Sequence, residues 1–442
     1  MNRSTIVMIP LALAGLISSS AVAQQRPAIR QLGAVTAKTA ETFGNIASVR
    51  ALSDGSLLVN DIPGRRVVMF DSNLSKFTVV ADSTSATGNA YGGRTGGLLA
   101  FRGDSTLFVD PASVSMLVID PSGKVARVVA IPRAEDASSI GGGFGGASYD
   151  GRGGIIYRPL NFRFGGPGGG GVRIVGTPGS ATPAIPQLPD PPDSAFVVRV
   201  DLASRKVDTV GVVKTPKIKL ETKSDENGRI SISSLINPLP VVDEWVVTPD
   251  GAIAFVRGRD YHIDWVNPDG SKVSAAKIPF DWQRMTDEDK VAFIDSVKAV
   301  RERQGNSPLA LGGAFAGAGG GGTPNVQINI NPGGPGGGPP RGSPPPQAQV
   351  NFIPPNELPD YKPPFFAGSV RADTEGNIWV RTIPTSAVAG GPVYDVINRK
   401  GELVDRVQIP AGRQIVGFGP NGAVYLANRD GTSLTIERAS VK

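Results

Sequence analysis

Apolar, β-rich runs of residues alternate along this chain with short turns, and one kind of turn recurs six times. Each of these turns contains a Gly beside Asp, Glu or Asn, and an apolar run such as Leu57-Leu58-Val59 follows within a few residues. Gly, Asn and Asp tolerate the positive φ angles of tight hairpins, so the pattern predicts β-hairpins. The turns are Asp54-Gly55, Gly103-Asp104, Asp150-Gly151, Asp250-Gly251, Glu375-Gly376 and Asn421-Gly422.

A second hairpin follows the first in five of the six repeats, for example at Asp120-Pro121-Ser122-Gly123. Two hairpins make four antiparallel strands, which is the content of one blade of a β-propeller. A hairpin repeat at a nearly constant spacing is also typical of that fold. The pattern therefore predicts an all-β, six-bladed β-propeller with four antiparallel strands in each blade.

The last repeat has only its first hairpin and the strand Leu434-Thr435-Ile436 before residue 442. We expect the N-terminal segment, residues 29–35, to supply the missing outer strand and so to close the ring of blades. That closure would leave no open sheet edge between the first and last repeats, which suppresses aggregation between edges.

Two intervals between repeats are much longer than the others and contain Gly- and Pro-rich tracts. We expect residues 165–192 and 305–350 to be flexible inserts, because such tracts bury little apolar surface. In a four-stranded blade both hairpin turns lie at one face, called the hairpin face below. The inserts belong to connections at the opposite, elaborated face, and elaborated loops on a rigid scaffold are where binding usually occurs.

One of the long intervals also contains a helix pattern. Thr286 can cap a helix that begins at Asp287, and Asp289 can complete a capping box. An apolar stripe follows, consisting of Phe293, Ile294, Val297 and Val300. We expect this stripe to pack over the mouth or side of the propeller, with docking to a partner as the alternative.

The N-terminus has the order of a secretory signal peptide, with Arg3, an apolar run over residues 6–17 and the small residues Ala21-Val22-Ala23. We expect cleavage near Ala23, so that residues 24–442 form a single propeller domain in the periplasm or outside the cell. The apolar run is too short to span a bilayer, so no transmembrane segment is predicted. The chain has no cysteine, so its core and strand ladders must stabilise it without disulfides.

The net charge of the chain is +6. A basic protein is often a nucleic-acid binder, but export argues against nucleic acid as the partner. An anionic envelope ligand or a protein partner is the expected class, and a solvated basic surface without a partner is the alternative. We predict no cofactor and a monomeric protein.

Charged residues follow the second strand of every repeat and should ring the elaborated face near the central channel. They are Asp61, Asp110, Arg158, Arg257, Arg381 and Arg429, with Arg65, Arg66, Arg259 and Asp260 nearby. Four arginines at one channel mouth could bind a carboxylate, phosphate or sulfate bidentately. Alternatively, each arginine pairs with an acid in its own loop.

His262 is the only histidine of the chain and stands near an acid in Tyr261-His262-Ile263-Asp264. It could form an acid–base pair in a cleft or a local hydrogen bond within its blade. No serine or carboxylate constellation in the sequence points to the first of these. Matches to the dinucleotide motif GxGxxG fall in Gly-rich tracts that open no helix of a βαβ unit, so we discard them.

The chain resembles bacterial exported six-bladed propellers of the NHL-repeat and TolB-like type. The resemblance rests on segments such as residues 49–59 and Phe70-Asp71, and it covers residues 29–442 apart from the inserts. It implies the fold but no single function, because propellers of this shape include binding scaffolds as well as gluconolactonase-like and amidating-lyase-like enzymes. Lactonase-type members carry acidic and amide metal ligands on their inner strands, and amidating lyases rely on several histidines.

The inner strands of this chain lack that acidic set, and the chain has one histidine. The sequence therefore favours a non-enzymatic, exported binding or scaffold protein that recognises a protein partner or an anionic ligand through its elaborated face. The alternative is a metal-dependent hydrolase or lactonase with a site in the central channel. Asp61 and Asp110 are the candidate metal ligands under that alternative.

Overall fold

A computed structural model describes residues 26–83, 96–141, 146–159, 192–224, 230–304, 327–330, 351–385, 390–431 and 433–441. The first strands are β1 (Ile29–Gln31), β2 (Ala37–Lys38), β3 (Ile46–Ala51), β4 (Leu57–Asp61), β5 (Arg66–Phe70), β6 (Phe77–Asp82), β7 (Gly97–Ala100), β8 (Thr106–Asp110), β9 (Ser115–Ile119), β10 (Val125–Ala130), β11 (Ser148–Tyr149), β12 (Gly154–Tyr157), β13 (Ser194–Asp201) and β14 (Val207–Lys214).

The remaining strands are β15 (Lys219–Ser224), β16 (Ile230–Ile236), β17 (Glu244–Val247), β18 (Ile253–Arg257), β19 (His262–Val266), β20 (Lys272–Ser274), β21 (Gln327–Ile330), β22 (Asn351–Phe352), β23 (Phe365–Ala372), β24 (Ile378–Thr382), β25 (Val393–Ile397), β26 (Leu403–Gln408), β27 (Arg413–Gly419), β28 (Ala423–Asp430) and β29 (Ser433–Ser440). The α-helices within the described ranges are α1 (Ala137–Ile140) and α2 (Asp287–Gln304).

Six sheets of the described chain each contain four antiparallel strands, and one of them carries β1 as a fifth, parallel strand. Sheets 1 to 5 take their strands in chain order, and sheet 6 combines three C-terminal strands with β2. The sheets are sheet 1 (β3–β6), sheet 2 (β7–β10), sheet 3 (β11–β14), sheet 4 (β17–β20), sheet 5 (β23–β26) and sheet 6 (β27–β29 and β2). The first strands of neighbouring sheets lie beside one another: β3 contacts both β7 and β27, and β17 contacts both β11 and β23. This nearly all-β arrangement supports a β-propeller.

The predicted hairpins are confirmed. All six turns join the first and second strands of a sheet, and glycines such as Gly55, Gly151 and Gly251 have φ angles of 86°, 74° and 82°. A side chain at these positions would be strained, which explains the recurring Gly. The five second hairpins join the third and fourth strands of sheets 1 to 5. Both sets of turns therefore lie at one face.

The core is divided among the spaces between sheets. Buried apolar clusters join each sheet to the next, and a further cluster joins sheet 6 to sheet 1. In that last cluster Leu57 and Val59 of sheet 1 pack with Tyr425 and Ile436 of sheet 6. Each sheet is thus buried on both faces by its neighbours, which accounts for nearly continuous apolar strands such as β4 and β8.

The N-terminal segment crosses from sheet 5 to sheet 6. β1 pairs in parallel with β26, with Ile29 opposite Arg406, whereas β2 pairs antiparallel with β29, with Ala37 opposite Arg438. The outer strand of sheet 6 therefore lies at Ala37–Lys38, and the prediction that residues 29–35 supply it was wrong in position. Leu32 explains the difference, because its side chain is buried in the cluster between sheets 5 and 6.

A further sheet lies outside the six and was not predicted. This accessory sheet contains β15, β16 and β21, with β22 added in parallel to β16. Within the predicted flexible insert over residues 305–350, residues 327–330 form β21 by pairing with β16. Residues 165–191 and the rest of 305–350 lie outside the described residues.

The predicted helix is confirmed as α2. The Asp289 carboxylate accepts a hydrogen bond from Thr286 N at 2.9 Å, and Asp289 N donates to Thr286 Oγ1 at 3.2 Å, which is a capping box. Ile294 and Val297 are buried, and Ile294 packs with residues of the accessory sheet region and of sheet 5. The side chain of Val300 lies outside the description. The apolar stripe of α2 therefore packs against other parts of the same chain.

Candidate functional site

The candidate metal ligands Asp61 and Asp110 are buried at the ends of the second strands of sheets 1 and 2. Asp61 accepts hydrogen bonds from Arg66 Nε at 2.9 Å and from Gly64 N at 3.1 Å. Asp110 accepts one from Ser113 Oγ at 2.6 Å. Each carboxylate therefore accepts hydrogen bonds from residues of the turn that follows its own strand. Within the described part of the chain, no group of three or more His, Asp or Glu residues could hold a metal ion.

Arg257 is held by acids of its own neighbourhood. Its Nε donates to Asp264 at 2.7 Å and its Nη1 donates to Asp243 at 2.9 Å, and the guanidinium carbon lies 5.3 Å from the centre of the Phe255 ring. Both counter-charges are thus supplied internally. The arrangement matches the alternative in which an arginine pairs with nearby acids, so Arg257 offers little free charge to a ligand.

His262 lies between two carboxylates on the surface of sheet 4. Its Nδ1 is 2.8 Å from Asp260 Oδ1 and its Nε2 is 3.2 Å from Asp264 Oδ1. Asp264 also accepts hydrogen bonds from Ser274 and Arg257, so the side chains of this surface form one connected network. These contacts are local hydrogen bonds within the sheet, as in the second reading of His262.

The other arginines of the expected ring lie in different environments. Arg65 ends a turn with a positive φ of 50°, and Arg429 is exposed on β28 opposite Leu434. Arg158 directly follows β12 and interacts electrostatically with Glu244. Arg381 lies on β24 opposite Tyr394 and lines a cavity on the elaborated face. Of these arginines, Arg158 interacts with Glu244, a residue that the sequence did not single out.

A candidate site is built around Glu244, the first residue of β17 and hence of an inner strand. Gly368 N of the neighbouring inner strand β23 donates to Glu244 Oε1 at 2.7 Å. The register of β23 shifts between Phe365 and Val370, and Gly368 has a φ of 74°. This irregularity frees the Gly368 N–H from the ladder and directs it to the carboxyl group, a use of bulges seen beside functional sites.

Burial raises the pKa of Glu244 to about 7, and the negative charge of Asp243 adds to this effect. The hydrogen bond from Gly368 and the positive charges of Arg158 and Arg371 act in the opposite direction. The residue as a whole is half-buried. It can therefore exchange a proton close to neutral pH, which is the property of a general acid or base.

Arg371 lies on β23, three residues beyond Gly368. Burial lowers the pKa of its guanidinium, and attraction to Tyr394 and Glu244 partly restores it. Its Nη2 is buried and has no hydrogen-bond partner. A buried donor without an acceptor is costly, so this nitrogen is suited to an acceptor that a ligand would bring.

We define the channel site as Glu244, Arg371 and Arg158. Arg50 Nε on β3 and Gln414 Nε2 on β27 are also buried without a partner, but Arg50 reaches Asp104 at the hairpin face and does not belong to this site. A negatively charged or strongly accepting small molecule would suit the unpaired nitrogen of Arg371.

Glu244 and Arg371 were not singled out from the sequence. The available signal was a charged residue inside or beside an otherwise apolar inner strand, as in Glu244-Trp245-Val246-Val247. Because 124 residues separate Glu244 from Gly368, no local pattern shows their contact.

Comparisons with known proteins give a limited result. No protein-family model and no curated protein matches the chain. Among solved structures, a streptogramin B lyase is 10% identical with a TM-score of 0.36, covering 91% of this chain and 96% of that one. A luciferin-regenerating enzyme is 10% identical with a TM-score of 0.38, covering 92% of each chain. A calcium-binding regucalcin from Agrobacterium tumefaciens is 11% identical with a TM-score of 0.37, covering 94% and 98%.

Similarity at this level carries no information about the activity of this chain. Among the described residues, no helix is long and apolar enough to cross a membrane.

Proposed function

We propose that this β-propeller is an enzyme that hydrolyses a small anionic ester or lactone in its central channel. The observation that carries the proposal is the grouping of Glu244 with Arg371 and Arg158, in which Arg371 Nη2 has no hydrogen-bond partner. A carboxyl group that titrates near pH 7 supplies acid–base chemistry. An unpaired guanidinium N–H supplies a donor for a negatively charged oxygen.

In the proposed reaction the Glu244 carboxylate accepts a proton from a water molecule as the water oxygen adds to the carbonyl carbon. Arg371 Nη2–H donates to the carbonyl oxygen, which gains negative charge in this step. The bond from carbon to the leaving oxygen then breaks, and Glu244 returns its proton to that oxygen. Arg158 attracts the anionic group of the substrate.

This proposal takes up the hydrolase alternative from the sequence, but its mechanism uses no metal ion. Asp61 and Asp110 already serve as acceptors in their own turns, and neither belongs to a group that could hold a metal among the described residues. A stoichiometric divalent ion in the purified protein that is lost in the Asp61→Asn or Asp110→Asn variant would favour the metal-dependent form instead.

The second candidate is a protein that binds a small anion without converting it, which is close to the first interpretation of the sequence. The unpaired Arg371 nitrogen supports binding of an anion as much as it supports hydrolysis. The two candidates differ in the role of Glu244: catalysis needs its proton exchange, whereas binding needs only the neighbouring arginines.

The test uses residues 24–442 with a panel of aryl esters and lactones that carry a carboxylate. We expect the Glu244→Gln variant to lower kcat about 100-fold or more, and the rate of the parent protein to rise with pH through about 7. Arg371→Gln should lower kcat and raise KM. Glu375→Gln, at an exposed hairpin turn, is the control and should retain full activity. Full activity in Glu244→Gln would refute the mechanism, and binding without turnover would support the second candidate.

We also propose that the six sheets are six blades of a closed ring, of the NHL-repeat or TolB-like type. The apolar cluster between sheets 6 and 1 supports closure, as do two backbone hydrogen bonds of 2.8 Å between Phe43 and Leu434. Removing residues 24–38, which include β2, should then strongly destabilise the protein in urea unfolding. An unchanged midpoint would contradict closure by this segment.

Export remains a proposal based on the N-terminal sequence, and so does the monomeric state. Expression with the full N-terminus should yield a secreted protein whose intact mass begins near Gln24. A protein retained in the cytoplasm with residues 1–23 attached would contradict export.

A further inference from the structure

A separate cavity lies on the elaborated face beside sheet 5. It has a volume of about 470 Å³. Its walls come from the connection between β24 and β25, the connection between β26 and β27, and the segment that precedes β1. None of the three channel-site residues lines it. Its size falls in the range typical of small-molecule sites.

Positive charge dominates the polar part of the lining. Arg26, Arg381 and Arg406 line the cavity together with a single acid, Asp281. Arg26 pairs through Nη1 with Asp281, while its Nε is buried and has no hydrogen-bond partner. The cavity therefore presents an excess of cations and at least one donor that no protein atom satisfies.

Arg406 is held in place from behind. Its Nε lies 3.3 Å from Oδ1 of the fully buried Asp395, whose other oxygen accepts a hydrogen bond from Tyr261 Oη at 2.9 Å. Arg406 is therefore oriented by a buried carboxylate that it shares with Tyr261. An arginine oriented in this way is suited to bind an anion with little loss of entropy.

The rest of the lining is apolar. Phe280 and Phe366 contribute aromatic rings, and Ile29 and Ile383 contribute aliphatic side chains. The guanidinium carbon of Arg26 lies 6.0 Å from the centre of the Phe280 ring, so cationic and aromatic surfaces meet at one point. A small inorganic anion would contact only the cationic surface.

The loop that precedes β25 gives this cavity a backbone wall. Gly390 has a φ of 107°, and a Cβ on Gly391 would lie 2.0 Å from the carbonyl oxygen of Ile409. Only glycine fits at these two positions, so the wall is thin and its shape is set by close backbone packing.

We propose that this cavity binds a small organic anion with an apolar body, namely an aromatic or aliphatic carboxylate or phosphate monoester. The arginines hold the anionic group, and the aromatic and aliphatic walls hold the body. The proposal is independent of the hydrolase function, because the two sites share no residue.

The experiment is titration calorimetry of residues 24–442 with phenyl phosphate, benzoate and inorganic phosphate. We expect phenyl phosphate or benzoate to bind, with the tighter of the two identifying the anionic group, and inorganic phosphate to bind at least tenfold more weakly. The Arg26→Gln and Arg381→Gln variants should each weaken binding of the organic anion about tenfold, since each loses a charge-assisted hydrogen bond.

Two controls separate this cavity from other sites. Arg399→Gln removes an arginine of the hairpin face and should leave the affinity unchanged. Arg371→Gln removes the donor of the channel site, so titration in this background measures anion binding at the cavity alone, and that binding should remain. The proposal is overturned if none of the three probes binds, if inorganic phosphate binds as tightly as phenyl phosphate, or if Arg371→Gln alone abolishes binding while Arg26→Gln and Arg381→Gln do not.

Discussion

The hairpin face and the channel site use the same chemical group in opposite ways. At the hairpin face, carboxylates accept from backbone N–H groups a few residues away: Asp120 from Lys124 at 3.0 Å and Asp373 from Asn377 at 2.8 Å. In the channel, Glu244 accepts from Gly368, 124 residues away. A turn can be recognised in a short stretch of sequence, whereas the environment of Glu244 requires two neighbouring sheets.

The electrostatic consequence follows from this difference. Hydrogen bonds from Ser122 and Lys124 lower the pKa of the exposed Asp120, so that carboxylate remains charged. Burial raises the pKa of Glu244 to about 7 despite its own hydrogen bond. Carboxylates at the hairpin face are therefore structural acceptors, whereas Glu244 is the carboxyl group that we propose as a proton carrier.

The largest effect is expected where a hairpin turn also reaches across its sheet. Asp150 is buried and accepts from Gly154 N at 2.9 Å and from Arg199 Nε at 2.6 Å. Asp150→Ala should lower the free energy of unfolding by about 3 kcal/mol, because it removes the acceptor of Arg199 Nε and of the buried Gly154 N–H. Urea unfolding measures this change.

The matched control for Asp150 is Asp269, which accepts from Ser271 N at 2.9 Å in an exposed second hairpin. Its replacement by Ala should have a much smaller effect. Equal effects at the two positions would show that the cross-sheet contact of Asp150 contributes nothing.

An intermediate effect is expected at Glu244. Its pKa in the folded state, about 7, lies above the ordinary value of 4.5. Protonation therefore favours the folded state, and this stabilisation is complete below about pH 4.5 and is lost as the pH rises through 7. Glu244→Gln cannot ionise, so at pH 8 the variant should be more stable than the parent by at most about 3 kcal/mol.

Urea unfolding at pH 5 and pH 8 measures this difference, which should nearly vanish at pH 5. The Glu375→Gln variant of the hairpin face should match the parent at both pH values. A variant Glu244→Gln that is less stable than the parent at pH 8 would mean that the ionised carboxylate stabilises the fold.

The smallest effect is expected at a local signal on the elaborated face. Thr286→Ala removes the hydroxyl that accepts from Asp289 N, and should lower the free energy of unfolding by about 1 kcal/mol. Thr286→Ser keeps the hydroxyl and should remain close to the parent in thermal unfolding. A loss as large as that of Asp150→Ala would indicate that the N-terminus of α2 supports more than its own helix.

Some elements of the fold could be predicted from the sequence and others could not. The hairpins and the start of α2 were predicted because each depends on residues within one turn of chain. The accessory sheet was missed, although its first strands alternate polar and apolar residues around Asn227-Gly228, a hairpin signal. Its third strand, β21, belongs to a Gly- and Pro-rich stretch, where composition pointed to a flexible insert.

The candidate sites were harder to predict than the fold. The sequence grouped the arginines by their equivalent positions at strand ends, but equivalent positions do not have equivalent neighbours. Arg257 pairs with Asp243 and Asp264, Arg158 faces Glu244, and Arg381 lines the cavity of sheet 5. Their different partners come from inserts and neighbouring sheets that differ from one repeat to the next.

By itself, the sequence determined the repeated hairpins, the four consecutive strands of sheets 1 to 5 and the face that carries the long connections. These features depend on backbone angles at a few Gly and Asp residues and on local apolar patterns. Only the tertiary structure decided that β1 joins sheet 5 while β2 joins sheet 6, and that Gly368 meets Glu244. Those contacts depend on which sheets become neighbours, because burial and charge at a site are set by residues distant in the chain.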